Sequence, residues 1–303
     1  MTEVVANRTN QIDWINQSKN FSVGGRKLMM VGNRVIDLMG NLRAEQKRSL
    51  SIVVVIGDPT FETSISHIDD AVEAGVDMVE LCIPSPTPNP YLESAALLAS
   101  MKRSAVHYRG SFAPYFDTIS QIRNKYPDLP IEAMCYQDVM NLMGVDNFSE
   151  ALNQYGVDSA LFSADMSTKP IETRRELSAI FSQNGILPIQ FVPHPFKPAQ
   201  ITELIEIAQG FIVVQTKAGS DGQRERVLPE NRLILDTIRS GGIDMPLITS
   251  YGIRTPEHIR ACIDLGADGV MIGSAVVDAG FRYSRDEYRA LLKSYRQAAS
   301  SSS

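Results

Sequence analysis

Short runs of Val, Ile, Leu and Met recur along the chain, separated by longer stretches in which apolar residues return every three or four positions. Eight runs have the length and near-continuous apolarity of strands buried on both faces: 51–56, 78–82, 131–135, 159–163, 187–192, 211–215, 245–249 and 269–272. Helical patterns fill the gaps. The pattern over 65–74 ends at Gly75, 118–126 at Pro127, 148–155 at Gly156, 171–183 at Asn184-Gly185, 199–208 before Gly210, and 233–239 at Gly241-Gly242. The pattern over 256–265 starts after Thr255, a good N-cap, and stops at Gly266. Strand and helix alternate about eight times over roughly 220 residues, which predicts an α/β fold of the (β/α)8 TIM-barrel type.

Three segments repeat one helix-to-strand signal: Ala74-Gly75-Val76-Asp77, Tyr155-Gly156-Val157-Asp158 and Leu265-Gly266-Ala267-Asp268. Gly closes the helix, a small apolar residue packs, and Asp opens the next strand, so this signal speaks of architecture rather than chemistry. Residues 33–50 read as an extra helix covering the barrel bottom, and a further helix is expected around 101–111. The domain plan is an N-terminal extension or arm over 1–32, a barrel domain over 33–297, and a serine-rich tail over 298–303 expected to be disordered.

Composition narrows the function. The 303 residues are 44% hydrophobic and 21% charged with a net charge of −6, which argues against nucleic acid or a polybasic membrane contact. No apolar run reaches the roughly 18 residues of a spanning helix, and the first residues lack an apolar signal core, so a cytoplasmic protein is expected. The three cysteines (Cys82, Cys135, Cys262) and four scattered histidines match no metal pattern. Neither a metal nor a cofactor is called for.

The chemistry concentrates at strand ends. Gly252 and Gly273 each follow a strand, and Ser274 opens a helix. Such turns present backbone N–H groups to an anion, so a phosphorylated small molecule is the expected ligand. The bland alternative is that the glycines merely allow tight turns. Glu80 lies in an otherwise apolar strand, where a carboxyl is costly unless paired or protonated. Burial would raise its pKa and suit proton exchange near neutral pH; the alternative is a carboxylate bonded to a neighbouring loop. Lys217, Arg224 and Arg226 read either as a basic lid beside Gly219 and Gly222 or as a solvated loop. Asp165 is a candidate for orienting Glu80 or substrate, or for capping a helix. His194 lies at the mouth of the fifth strand, where substrate contact is the less favoured of its readings, and Cys82 reads as a core residue.

Gly57-Asp58-Pro59-Thr60, Val79-Glu80-Leu81-Cys82-Ile83-Pro84, Lys217-Ala218-Gly219-Ser220-Asp221-Gly222 and the two last Gly turns together resemble the tryptophan synthase alpha subunit family, from about Asn33 to Ala279. The resemblance implies a carbon–carbon lyase that splits indole-3-glycerol phosphate into indole and glyceraldehyde 3-phosphate by retro-aldol cleavage. It implies Glu80 as general acid/base, Tyr136 as the tyrosine after the third strand, and Gly219, Gly222, Gly252, Gly273 and Ser274 as the phosphate cradle. It also implies a beta-like partner subunit, with a homo-oligomer as the other assembly in view.

The chain departs from the family where the indole is held. The usual loop Gly-Ile-Pro-Phe-Ser-Asp-Pro is here Cys82-Ile83-Pro84-Ser85-Pro86-Thr87-Pro88, and no Asp occurs between Asp77 and Asp117. Glu93 is the one candidate to replace the missing carboxylate. A Glu93 facing the same cavity as Glu80 would keep an indole-like substrate, whereas a Glu93 turned to solvent would favour another. The proline loop itself reads either as a reshaped pocket lip or as a rigid partner-docking ridge. A specialised paralogue serving secondary metabolism fits these changes. Two other readings remain: an aldol-type enzyme or isomerase for another phosphorylated polyol, and a non-catalytic barrel bound to a beta-like partner.

Overall fold

The computed structural model describes residues 20–23, 26–29, 32–89, 93–163, 166–195, 200–216, 227 and 229–300. Eight parallel strands close into a barrel in chain order: β1 (Ser49–Val55), β2 (Met78–Cys82), β3 (Ile131–Cys135), β4 (Ser159–Phe162), β5 (Leu187–Val192), β6 (Ile212–Gln215), β7 (Leu247–Ser250) and β8 (Gly269–Ile272), with β8 pairing back to β1. Nearly every strand residue is buried, because side chains fill the interior on one face and helices cover the other. Helices join the strands: α1 (Arg34–Ala44) precedes the barrel, then come α2 (Phe61–Glu73), α3 (Ala95–Ala105), α4 (Ala113–Lys125), α5 (Gln137–Met143), α6 (Val145–Gln154), α7 (Ile171–Gln183), α8 (Gln200–Ile207), α9 (Asn231–Ser240), α10 (Pro256–Asp264), α11 (Ser274–Arg282) and α12 (Arg285–Ser300).

The repeated Gly–apolar–Asp signal proves to be a clamp at the barrel bottom. The Asp77, Asp158 and Asp268 amides each donate to the carbonyl of Leu50, Ile131 and Leu247, all at 2.9 Å. Each Asp carboxylate returns the bond by accepting the N–H of the same residue at 2.8 Å. An arginine neutralises each one: Arg296 on Asp77, Arg123 and Arg34 on Asp158, Arg239 on Asp268. Gly156 is required by this close packing. Its φ is +85°, and an added Cβ would lie 2.7 Å from the Arg123 stem.

The extra N-terminal helix crosses the bottom of the barrel as expected, but it is shorter. Arg34 bonds Asp158 ahead of β4, and Arg43 bonds Asp244 ahead of β7. The helix stops at Ala44, Gln46 turns the chain with φ 54°, and Ser49-Leu50 already belong to β1. Within the expected arm, Asn20–Val23 and Arg26–Met29 pair as an antiparallel hairpin. At the other end α12 runs through Ser300 with Ala298 and Ala299 buried, so these residues belong to the helical shell rather than to a tail. The helix expected at 101–111 is Ala95–Ala105, capped by Ser94, whose side chain accepts the Leu97 N–H. No helix among the described residues is long and apolar enough to cross a membrane.

Candidate active site

At the C-terminal mouth of the barrel lies a cavity of about 160 Å³. Glu80, Glu93, Gly252, Gly273 and Ser274 all line it, with Leu97, Met134 and Leu161 supplying apolar wall. Five of the nine sequence-nominated site residues therefore meet in one space. Tyr136 stands just behind, beside a neighbouring polar pocket that also touches Glu93. Asp165, Gly219 and Gly222, together with the lid candidates Lys217, Arg224 and Arg226, lie outside the described residues. His194 is exposed, bonds Gln215 through its backbone N–H at 2.9 Å, and is not part of the cavity wall.

Glu80 is fully buried, and neither of its carboxyl oxygens has a hydrogen-bond partner among the described residues. Burial among apolar strands pushes its pKa from the usual 4.5 up to about 8, and the nearby Glu93 carboxylate adds to the rise. It is thus held as a neutral acid at pH 7, near enough to its titration to give and retake a proton. The Cys82 thiol beside it is likewise raised by burial and fits a core residue.

Glu93 is half-buried and fixed by Tyr136, whose hydroxyl donates to Glu93 Oε1 at 2.7 Å. Tyr136 closes β3 and precedes α5, so its ring is set by the barrel wall rather than by the loop that carries Glu93. Burial raises the Tyr136 pKa well above the ordinary value, which keeps the hydroxyl a donor. The proline loop is tied down on the same side, where Ser85 Oγ donates to Asp138 of α5 and accepts the Thr87 N–H at 3.0 Å.

The opposite side of the cavity is built from turns and two helix starts. Gly252 has φ +70°, and the preceding Tyr251 also sits at φ +71°, an uncommon conformation for an aromatic residue. Thr216 helps hold that turn by donating its hydroxyl to the Tyr251 carbonyl, and Phe191 packs on the Tyr251 ring at 5.2 Å. Gly273 is the N-cap of α11, and a Cβ there would crowd Val53 at 3.3 Å and sit in ordinary contact with Leu97 at 3.6 Å. The N-termini of α3 and α11 converge, since Ser94 Oγ and Ser274 Oγ lie 2.6 Å apart. Two helix dipoles thus aim partial positive charge at one spot, and Arg254 adds a full charge at the rim. The amides of Gly252, Gly273 and Ser274 donate to no protein acceptor among the described residues.

Sequence reasoning missed Ser94, Tyr251, Arg254 and Glu132. Ser94 carried a visible N-cap signal ahead of Ala95-Ala96-Leu97. Arg254 sits two residues after Gly252. Glu132 interrupts an apolar strand just as Glu80 does, and that is its visible signal. It is fully buried and pairs in register with Glu80 across β2 and β3. Among the described residues no cluster of three or more His, Cys, Asp or Glu is placed to hold a metal.

Comparison with known proteins agrees with this architecture. A family-wide profile described as tryptophan synthase alpha chain matches residues 39–301. The tryptophan synthase alpha chain of Edwardsiella ictaluri is 32% identical over 244 residues, covering 80% of this chain and 87% of that one. That of Methanoregula boonei is 32% identical over 230 residues, covering 74% and 81%. In fold, the chain is similar to the crystal structure of tryptophan synthase subunit alpha from Legionella pneumophila, with a TM-score of 0.76, 24% identity, and coverage of 88% and 98%. It is also similar to a chain of the tryptophan synthase complex of Pyrococcus furiosus, with a TM-score of 0.68, 20% identity, and coverage of 84% and 98%. The chain belongs to the tryptophan synthase alpha chain family.

Proposed function

We propose that this chain is a lyase that cleaves indole-3-glycerol phosphate, or a close analogue, into indole and glyceraldehyde 3-phosphate. One observation carries the reading: the carboxyls of Glu80 and Glu93 flank the same cavity that presents Gly252, Gly273 and Ser274. That placement supports Glu93 as the replacement for the aspartate this chain lacks.

Bond cleavage needs an acid for the ring carbon and a base for the neighbouring hydroxyl. Glu80 enters protonated and gives its proton to the ring carbon that carries the side chain. The ring N–H then bears positive charge, and the Glu93 carboxylate, steadied by Tyr136, accepts its hydrogen bond. The Glu80 carboxylate now removes the proton of the side-chain hydroxyl. The carbon–carbon bond breaks, its electron pair returns to the ring, and the hydroxyl carbon becomes the aldehyde. Glu80 ends protonated, so no proton is left over. The glycine turns and the two helix starts hold the phosphate and fix the scissile bond over Glu80.

The test is release of free indole from indole-3-glycerol phosphate by the purified chain. Release that falls by about 10²-fold or more in Glu80→Gln supports the reading, on the usual scale of a positioned acid/base. Turnover unchanged in that variant rejects it. The Pyrococcus furiosus neighbour is a chain of a tryptophan synthase complex. By extension we propose a beta-like partner here, docked near the pinned proline loop. Co-elution with a beta chain, with faster indole release, is the expected result, and no change in either rejects the partnership.

A further inference from the structure

Glu132 is the most conspicuous buried group that this mechanism leaves unused. It lies on β3 as the register neighbour of Glu80, so both side chains leave the same face of adjacent parallel strands. Strands in a sheet run about 4.8 Å apart, well within the reach of two flexible glutamates. Both are fully buried, and all four carboxyl oxygens lack hydrogen-bond partners among the described residues. The next inward position on β4, Ser159, is also buried with an unpartnered hydroxyl. Among the described residues, the titratable groups that interact with this pair are Glu93, Cys82, Cys135 and Tyr251, and none of these is a cation.

Two carboxylates in such a place cannot both be charged. Desolvation opposes each charge, and each charge opposes the other. A carboxyl buried without a partner is also a poor choice for stability, since an apolar residue would fill the space at less cost. Its presence beside the acid/base points to a role in the reaction. The moment of need is the interval between the two proton transfers, when Glu80 is a carboxylate deep in apolar surroundings.

We propose that Glu132 is a positioning residue for Glu80: it stays protonated through the cycle and donates its O–H to the Glu80 carboxylate formed between the two proton transfers. The donated bond stabilises the transient anion and turns one oxygen of Glu80 away, leaving the other to face the substrate. No proton leaves Glu132, so the proton count of the cycle is unchanged. The kinetic part of this inference rests on the lyase reading, whereas the protonation of Glu132 does not.

Two measurements test it. The first is the infrared difference spectrum between the wild-type chain and Glu132→Gln at neutral pH. Loss of a protonated-carboxyl carbonyl band in the variant is expected, and loss of a carboxylate band instead overturns the proposal. This arm holds even if the chain proves not to cleave indole-3-glycerol phosphate. The second is the pH profile of kcat for Glu132→Gln and Glu132→Met with that substrate. Gln keeps a neutral donor, so kcat stays within about threefold and the alkaline limb does not move. Met fills the space without a donor, so kcat falls about tenfold or more while KM changes little. Its alkaline limb moves to higher pH, because the Glu80 anion has lost support. Met is an apolar replacement for a buried carboxyl, so the folded chain and its thermal midpoint are retained or raised. A Met variant with wild-type kcat and an unmoved limb overturns the proposal. So does a Gln variant whose limb shifts down, which would mean that Glu132 carries charge during turnover.

Discussion

The pKa of Glu80 ties the chemistry to stability in a way that Glu80→Gln exposes. Burial lifts this carboxyl from 4.5 to about 8. Between those values the folded chain keeps a proton that the unfolded chain gives up, so stability falls as pH rises through that window and levels off above it. Each unit inside the window costs up to about 1.4 kcal/mol, which makes the loss between pH 4.5 and pH 7 about 3 kcal/mol. Gln has the same shape and no proton to lose. Unfolding free energies measured in urea at several pH values are therefore expected to show the variant gaining on the wild type by about 3 kcal/mol over that range. In thermal scans this corresponds to a relative gain of roughly 5 °C or more. Asp77 and Asp158 are also raised by burial, but they are present in both chains and cancel in the difference. Parallel stability curves for the two chains would refute the claim that Glu80 is held neutral by the fold.

The other expectations concern single contacts. Gly273→Val would push a side chain against Val53 and Leu97 and cover the start of α11, so KM should rise about tenfold or more with kcat changing less; a pure kcat loss would contradict a phosphate role there. Tyr136→Phe removes the 2.7 Å bond to Glu93 and should lower kcat/KM about 10- to 100-fold in steady-state assays. Unchanged kcat/KM in that variant would show that Glu93 is not held for catalysis. Arg254→Ala should weaken inorganic phosphate binding by calorimetry and reduce its salt dependence, whereas equal affinity would place the phosphate away from that rim.

The barrel was legible because its strands are buried on both sides and its helices end at glycines. Four of the eight strands, including Met78–Cys82 and Gly269–Ile272, fall on the expected residues. The misplaced helix has a physical reason. The inner face of Ala95–Ala105 includes Ser100 and Ser104, which are buried because they bond Asp58 and the Ile56 carbonyl. A buried face partly made of serines is invisible to a search for apolar periodicity. The first two residues of β1, Ser49 and Leu50, fall within the expected helix because the turn at Gln46 lacks the glycine or proline that marks turns elsewhere.

The candidate site was legible where a residue type clashed with its surroundings, as Glu80 did, or where backbone freedom was needed, as at Gly252 and Gly273, which line the same cavity. Residues that act through spatial neighbours left weaker traces. Ser94 meets Ser274 across 180 positions, and Glu132 gains its meaning only once β2 and β3 are in register. Glu93 follows a loop without periodicity, so only the fold could bring it to the cavity that Glu80 lines.

A crystal structure of Glu80→Gln with indole-3-glycerol phosphate bound tests the central arrangement most directly. The account predicts the phosphate on the amides of Gly252, Gly273 and Ser274, the ring N–H on Glu93, and the scissile carbon beside residue 80. A phosphate seated elsewhere, or a ring whose N–H points away from Glu93, would contradict it.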